Sequence, residues 1–408
     1  MSRNFTIVAV IVSVFLALAI FGGLMWANTL YARTHPGEKD FFVPWMAART
    51  FIQYGDSPYS EPAAQRAQIV YYGHLATDNE SPLYLWLPLP VELVYFPFAL
   101  VRDYAVARGL WMTFLEIALV ALGLLSVWLT GWKAGRILLP FILVISVMWV
   151  YGFFSLIDGS AVIFVALALV GALLALRTER DELAGALLCV LLSAPRLTGV
   201  LLLFLAWWII YHRRWRVVGG FFMLLAFVLA LSFFLLPDWF VPFLHGAALQ
   251  NIYNPGLSTI SIFASWSPVL GLRLGWALSL GLLFLLFMEW GFAIQRDFRR
   301  FLWTVSLTLA STVLLGIPVI PRNLVVLFFP LILFTSILSL RWRRFLWIGA
   351  AAFALILVFG GLWFLVSRLS PTSVAGMDTL VLVLPVLLVV GLYWMRWWVV
   401  RSEPETLE

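Results

Sequence analysis

Charged side chains are scarce in this sequence. Asp, Glu, Lys and Arg together make up 11% of the 408 residues, hydrophobic residues make up 63%, and the mean hydropathy is +1.01. A soluble domain usually carries about a quarter charged residues, so the composition excludes a soluble globular enzyme. It is typical of an all-α, polytopic membrane protein.

Cysteine and histidine are also rare. The single cysteine, Cys189, stands in an apolar run, which excludes an internal disulfide and argues against redox chemistry. The four histidines are scattered, and no metal-ligand spacing is present; they lie at positions 35, 74, 212 and 245. We therefore expect no metal site and no cofactor.

The net charge of +6 does not indicate a nucleic-acid partner, because the basic residues form short clusters between apolar runs. Such clusters are typical of cytoplasmic connections between membrane spans. The clusters are Lys133/Arg136, Arg177/Arg180, Arg213/Arg214/Arg216, Arg296/Arg299/Arg300, Arg341/Arg343/Arg344 and Arg396/Arg401. They predict a multi-pass protein of the cell membrane whose amino terminus and short tail, 401–408, are cytoplasmic.

The apolar runs predict the domain organisation. Residues 5–30 are long enough to cross a bilayer, and further apolar runs continue to residue 395. We expect one transmembrane domain over residues 1–400, with external loops at 31–82 and 237–266. Residues 83–101 contain three prolines, which predicts a broken or re-entrant helix.

The first external loop contains an amphipathic pattern. Apolar residues recur at roughly helical spacing between Phe42 and Ile52, and Gly55 ends the run. The predicted helix is too short to span a membrane. We expect it to lie flat on the interface, with its aromatic face in lipid and Arg49 close to lipid phosphates.

Two acidic residues on the expected external side are candidates for chemistry. Asp40 stands about ten residues beyond the first span, where a carboxylate is suited to accept a proton at a bilayer surface. The alternative is an ordinary loop carboxylate at a helix end. Asp158 precedes Gly159, a favoured turn pair, so it is either a turn residue or a group that positions a sugar hydroxyl.

Two arginines in otherwise apolar surroundings are candidate phosphate ligands. Arg196 follows Pro195 within a long apolar stretch, and Arg322 lies near the end of another run. The planar guanidinium matches phosphate oxygens in pairs, whereas the alternative is a side chain that extends to the interface. Polar residues of the second loop suit sugar recognition, although Asn-Pro-Gly is also an ordinary turn: Gln250, Asn251, Asn254 and Ser258.

The first loop resembles a known family signature. Its residues run Asp40-Phe41, Trp45, Ala47-Ala48-Arg49 and Gly55-Asp56-Ser57-Pro58-Tyr59. This order is similar to the "DF…W…AAR…G…PY" signature of GT-C type integral membrane glycosyltransferases, in particular the family-87 branch of polyprenyl-phosphate-mannose-dependent mannosyltransferases. Shorter patches agree in order, among them the hairpin at 185–203, which resembles a "G…KP…LLL" segment.

The resemblance implies an inverting transfer of a sugar from a polyprenyl-phosphate carrier to an acceptor hydroxyl on the extracytoplasmic face, with Asp40 as general base. The donor sugar would be mannose or another hexose or pentose. The implied fold is a GT-C-like bundle, and the apolar runs predict about 11 to 13 transmembrane helices. Arg49 would contact the acceptor. The chain departs from the family at 321–323, where the family tends to have Trp and His.

A transporter or flippase of lipid-linked sugars is the alternative from another functional class. It would also need many spans and buried arginines, but it predicts internal repeats with matching broken helices. The sequence shows no internal repeat, and its polar candidates fall on one expected side. The expected partners are membrane lipids, the polyprenyl-phosphate sugar and a lipid or glycan acceptor.

Overall fold

Helices make up almost the whole of the described chain. The computed structural model describes residues 3–136, 138–341 and 374–401. Within these residues there is no β-strand, and one isolated β-bridge joins Leu257 to Val319. The all-α class is confirmed. The apolar run at 345–366 and all but the first residue of the predicted tail, 401–408, lie outside the described residues.

The α-helices are numbered in order along the described ranges. They are α1 (Arg3–Thr34), α2 (Lys39–Tyr54), α3 (Glu61–Tyr72), α4 (Leu89–Glu92), α5 (Phe96–Ala99), α6 (Tyr104–Thr130), α7 (Leu138–Met148), α8 (Val150–Asp158), α9 (Val162–Arg177), α10 (Asp181–Val190), α11 (Pro195–Tyr211), α12 (Trp215–Leu235), α13 (Phe240–Tyr253), α14 (Thr259–Trp266), α15 (Leu270–Ile294), α16 (Phe298–Thr312), α17 (Phe328–Arg341), α18 (Val374–Trp394) and α19 (Arg396–Arg401). Two 3₁₀ helices, Leu191–Ser193 and Pro321–Leu327, precede α11 and α17.

Five helical segments of the described chain are long and apolar enough to cross a membrane. They are Val10–Thr34, Tyr104–Thr130, Trp215–Leu235, Leu270–Ile294 and Pro321–Ser339. The pair α7 and α8, bent by 49°, would make a sixth if it counts as one span. Several long apolar helices are typical of a multi-pass membrane protein. The larger count of spans stays a prediction.

The chain divides into two compact units. The first unit comprises Met1–Ile117, Leu156–Ser160 and Leu236–Leu249, and the second comprises Ala118–Ser155, Ala161–Leu235 and Gln250–Glu408. The first unit therefore contains the complete first loop, which carries Asp40, and the separate segment that carries Asp158.

The amphipathic helix predicted in the first loop is confirmed as α2. Gly55 ends it in the left-handed conformation, with φ at 75°, and donates its N–H to the carbonyl of Phe51. The expectation that its aromatic face lies in lipid is wrong for Phe42 and Trp45, which are buried within the protein. The indole of Trp45 donates to the carbonyl of Phe98, 3.1 Å away. The aromatic stripe is therefore covered by protein, chiefly by the segment around α5 and the start of α6.

The proline-rich segment 83–101 is broken, as predicted. It forms only two single-turn helices, α4 and α5. Side chains of the first loop donate to carbonyls within this segment and directly before it: Tyr59 donates to Leu87 at 2.7 Å and Gln68 to Pro82 at 2.6 Å. These bonds satisfy carbonyls of an irregular, partly buried backbone.

In the second unit, the chain over 184–211 forms two α-helices, α10 and α11, with the short 3₁₀ helix Leu191–Ser193 between them. Helix α11 begins at Pro195, whose missing N–H costs nothing in a first turn. Helices α10 and α12 approach closely at Gly185 and Gly220, where an added Cβ would overlap the facing backbone. An ion pair between Arg214 and Asp181 joins the same two helices.

A buried ion cluster lies among the last helices of the second unit. Glu289 of α15 accepts hydrogen bonds from Arg300 of α16 and from Arg396 of α19, the latter at 2.7 Å. The hydroxyl of Tyr393 lies 3.5 Å from the same carboxylate. One carboxylate thereby connects four helices, α15, α16, α18 and α19.

Candidate functional site

Asp40 lies in the first turn of α2, shortly after α1 ends. Its side chain is partly exposed. The unpaired N–H groups and the dipole of a helix N-terminus favour a negative charge in this turn. The fold therefore places a partly exposed carboxyl group directly beyond the end of a candidate span.

Asp158 is brought close to Asp40 by a contact between their sequence neighbours. Asp158 is the last residue of α8, and Gly159 follows it in the left-handed conformation, with φ at 73°. A Cβ at Gly159 would lie 2.8 Å from the Cβ of Phe41, so the backbone touches that side chain. The indole of Trp111 donates to the Gly159 carbonyl at 2.9 Å. The residues that follow Asp40 and Asp158 in the sequence are thus in contact within the first unit.

Arg108, which we did not single out in the sequence, is the cation of this cluster. It is 1% exposed, and its guanidinium donates to the carbonyl of His35 and, at 2.7 Å, to that of Ile157. Asp158 acts on it electrostatically. Arg108 therefore ties the chain before Asp40 to the chain before Asp158. A buried cation near the start of an apolar run was the sequence signal for it.

Gly37 allows the chain to pass Arg108. It has φ at 81°, and an added Cβ would overlap the guanidinium. Glycine adopts this conformation without steric cost. The turn between α1 and α2 therefore depends on a glycine directly against the buried arginine.

An aromatic cluster lies beside Asp40 and includes its neighbour Phe41. Tyr95 stacks on Trp111, with ring centroids 4.7 Å apart, and contacts Phe41 at 6.0 Å. Burial raises the pKa of the Tyr95 phenol well above its usual value, and the charges of Glu92 and Asp40 add to that shift. Tyr95 therefore stays a neutral phenol beside Asp40.

Glu92 is a second acid near this cluster, and it is fully buried. Its side chain is 0% exposed, and within the described ranges neither carboxyl oxygen has a hydrogen-bond partner. Burial raises the pKa of the Glu92 carboxyl well above its usual range; the nearby amide of Ala48, outside hydrogen-bond geometry, opposes this shift only in part. Burial therefore favours the protonated form of Glu92 in the folded protein.

Arg49 faces away from this cluster. It is nine residues beyond Asp40, which at about 100° per residue places the two side chains on opposite faces of α2. Its Nη1 donates to the carbonyls of Ala99 and Val101 at 3.4 and 3.3 Å. The guanidinium also lies over the Trp45 ring, 5.3 Å from its centroid.

The predicted phosphate ligands lie in the second unit. Arg196 is the exposed second residue of α11, and Arg322 belongs to the 3₁₀ helix Pro321–Leu327. The carbonyl of Arg322 accepts a hydrogen bond from Ser155 at 2.5 Å. That both arginines bind one phosphate stays a prediction.

The predicted polar loop at 250–261 is largely helical. Gln250 and Asn251 lie in the last turn of α13 rather than in a loop. Ser258 caps α14 in a reciprocal pair with Ser261, so its hydroxyl already has a structural partner. Asn254 follows α13, and its N–H continues the helical hydrogen bonding to Gln250. Helix ends and caps of this kind cannot be recognised in a short polar stretch of sequence.

Among the described residues, no three His, Cys, Asp or Glu side chains are grouped as metal ligands. Comparisons with known proteins give no relative: no protein-family model, curated protein or solved structure matches the chain. The resemblance carried by the first-loop motif therefore rests on that motif alone.

Proposed function

We propose that the chain is an inverting glycosyltransferase that moves a sugar, mannose or another hexose or pentose, from a polyprenyl-phosphate carrier to an acceptor hydroxyl of a lipid or glycan. The observation that supports it most is the acid cluster beyond the first span: accessible Asp40, Asp158 beside it and buried Arg108 between the segments that carry them. The first-loop motif supports the same reaction.

In this reaction the acceptor oxygen attacks the anomeric carbon while Asp40 takes its proton. The bond from that carbon to the carrier phosphate breaks, and the bonding electrons leave with the phosphate. General base catalysis contributes about 10²- to 10⁴-fold to such a step. Asp158 would hold a hydroxyl of the sugar or acceptor, with its orientation fixed by Arg108.

The departing phosphate needs positive charge, which Arg196 and Arg322 would supply. Gln250, Asn251 and Asn254 would hold neutral hydroxyls. The proposal includes a GT-C-like bundle of about 11 to 13 spans, with α2 at the interface and the site on the extracytoplasmic face. Arg49 lies on the face of α2 opposite Asp40, so it would not take part in the proton transfer, and its contact with the acceptor stays a prediction.

The test is a transfer assay on the purified protein with a panel of polyprenyl-phosphate sugars and lipid acceptors. Asp40→Asn should lose about 10²- to 10⁴-fold in turnover while keeping donor binding, because only the proton acceptor is removed. Asp78→Asn is the matched control, since Asp78 is an exposed carboxylate of the same loop. Equal turnover in the two variants would remove Asp40 from the mechanism. Translocation of the lipid-linked sugar without a new glycosidic bond would favour the flippase instead.

A further inference from the structure

A cavity of about 410 Å³ lies in the first unit on the face of α2 opposite Asp40. Its walls include the rings of Phe42, Trp45, Tyr71 and Tyr104, and Arg49 lies at its edge. This volume is within the usual range for a small-molecule site. The cavity therefore lies on the other side of α2 from Asp40, although Gly37 in its wall also touches Arg108. The proposed transfer does not use the cavity.

The guanidinium of Arg49 has unused donors at this cavity. Only its Nη1 makes hydrogen bonds within the described part of the chain, to the carbonyls of Ala99 and Val101. Its Nε and Nη2 are left without a protein acceptor there. The Nε and Nη2 edge is the fork that binds two oxygens of one phosphate. A half-buried arginine with that edge free is suited to an oxyanion.

A second cation stands nearby. The Nζ of Lys39 lies 5.8 Å from the centroid of the Tyr71 ring, which lines the cavity, and donates to the Tyr72 hydroxyl at 3.0 Å. Glu38 also acts on Tyr71 electrostatically, but it is exposed to solvent. Two cations beside aromatic walls favour an anion that carries apolar groups.

The position of the cavity indicates where such a ligand comes from. Pro36 and Gly37, which line it, come directly after α1, and Tyr104 begins α6. Both helices contain candidate spans, so the cavity lies where two spans end. Tyrosine and tryptophan are enriched at this level of a membrane, next to the lipid head groups.

We propose that this cavity binds one anionic phospholipid, with its phosphate on Arg49 and the first part of its apolar chains against the aromatic walls. The lipid would hold α2 on the membrane surface from the side opposite the acid cluster. This site is independent of sugar transfer, and binding alone tests it.

The test is native mass spectrometry of the delipidated full chain, titrated with phosphatidylglycerol and separately with phosphatidylcholine. Phosphatidylglycerol should bind with higher affinity, and Arg49→Gln should weaken it about tenfold or more, because a hydrogen bond to a charged group is lost. Arg49→Lys should retain part of the affinity, since it keeps the charge without the fork.

Val70→Trp provides a variant that leaves the charges unchanged. Val70 lines the cavity but is 60% exposed, so a larger side chain there should fill the space without disturbing the core. It should weaken phosphatidylglycerol binding as Arg49→Gln does. Arg66→Gln is the control. Arg66 lies on the neighbouring helix α3, forms an ion pair with Asp56 and does not line the cavity.

Unchanged phosphatidylglycerol affinity in both Arg49→Gln and Val70→Trp would overturn the proposal. Equal affinity for the two lipids, insensitive to Arg49, would also overturn it. Displacement of phosphatidylglycerol by a polyprenyl phosphate at equal concentration would contradict it as well, because the cavity would then be a substrate site.

Discussion

Glu92 of the first unit and Glu289 of the second are both buried acids, with 0% and 2% of their surface exposed. Glu289 is paired with two arginines and lies near a tyrosine hydroxyl. Glu92 has no hydrogen-bond partner for either carboxyl oxygen in the described part of the chain. Burial alone therefore does not fix the state of an acid. The paired carboxylate connects helices, whereas burial raises the pKa of the unpaired one.

The two acids also differ in what surrounds them. Glu289 joins segments far apart in sequence, and its side chain is buried among them. Glu92 stands one turn from Tyr95, in the same unit as the accessible acids Asp40 and Asp158. The second unit pairs its buried acid with arginines, whereas Asp40 and Asp158 of the first unit are partly exposed.

Removal of Glu289 should have the largest effect on stability. Glu289→Ala would leave Arg300 buried without its counter-charge, which costs about 3–5 kcal/mol in the free energy of unfolding. The measurement is thermal unfolding of the purified protein in detergent. The control is Glu182→Gln, because the Glu182–Arg216 pair is exposed and should change stability by about 0–1 kcal/mol. Equal effects of the two substitutions would contradict the structural role of Glu289.

Substitution of Arg108 should have the next largest effect on stability. Its guanidinium donates to the carbonyls of His35 and Ile157. The shorter amide of Arg108→Gln can reach at most one of them, so the free energy of unfolding should fall by about 1.5–3 kcal/mol for the charged hydrogen bond that is lost. The sugar-transfer rate should fall further than that of a variant equally destabilised elsewhere, since both acid-bearing segments are released. A rate that falls only in proportion to stability would show that Arg108 does not position the acids.

Much of the first unit could be predicted from its sequence. The spacing of apolar residues and Gly55 predicted α2, because a helix needs only a local pattern and a stop. The same pattern did not reveal what covers the aromatic face, since lipid and protein both bury Phe42 and Trp45 equally well. That choice depends on the proline-rich segment, whose path is set by distant hydrogen bonds such as Tyr59 to Leu87.

The candidate site was predicted only in part for the same reason. Asp40 and Asp158 were identifiable because lone acids stand out beside apolar runs. Arg108 is one basic residue near a helix start, and only the contacts to His35 and Ile157 distinguish it from an ordinary anchor. The opposite orientation of Arg49 follows from helix geometry, but its free donor edge depends on which carbonyls meet its Nη1.

Glu92 should have the smallest effect on stability and a distinct pH dependence. The pKa of its carboxyl is raised in the folded state, so below the ordinary carboxyl range both states are protonated and its contribution is fully present. As the pH rises above that range, the unfolded state ionises while the folded state does not, and stability falls by up to about 1.4 kcal/mol per pH unit until the folded pKa is reached.

Glu92→Gln should remove that fall, because glutamine does not ionise. Unfolding of the two proteins, followed from acidic to neutral pH, would show curves that converge at low pH and separate as the pH rises. Parallel curves over the whole range would contradict a neutral, buried Glu92.

The most direct test of the account compares the transfer rates of Asp40→Asn and Glu92→Gln on the same donor and acceptor. The accessible acid should carry the reaction, so Asp40→Asn should lose about 10²- to 10⁴-fold in turnover with donor binding kept, whereas Glu92→Gln should stay within about twofold of the unmodified protein. Full turnover in Asp40→Asn, or an equal loss in Glu92→Gln, would contradict the account.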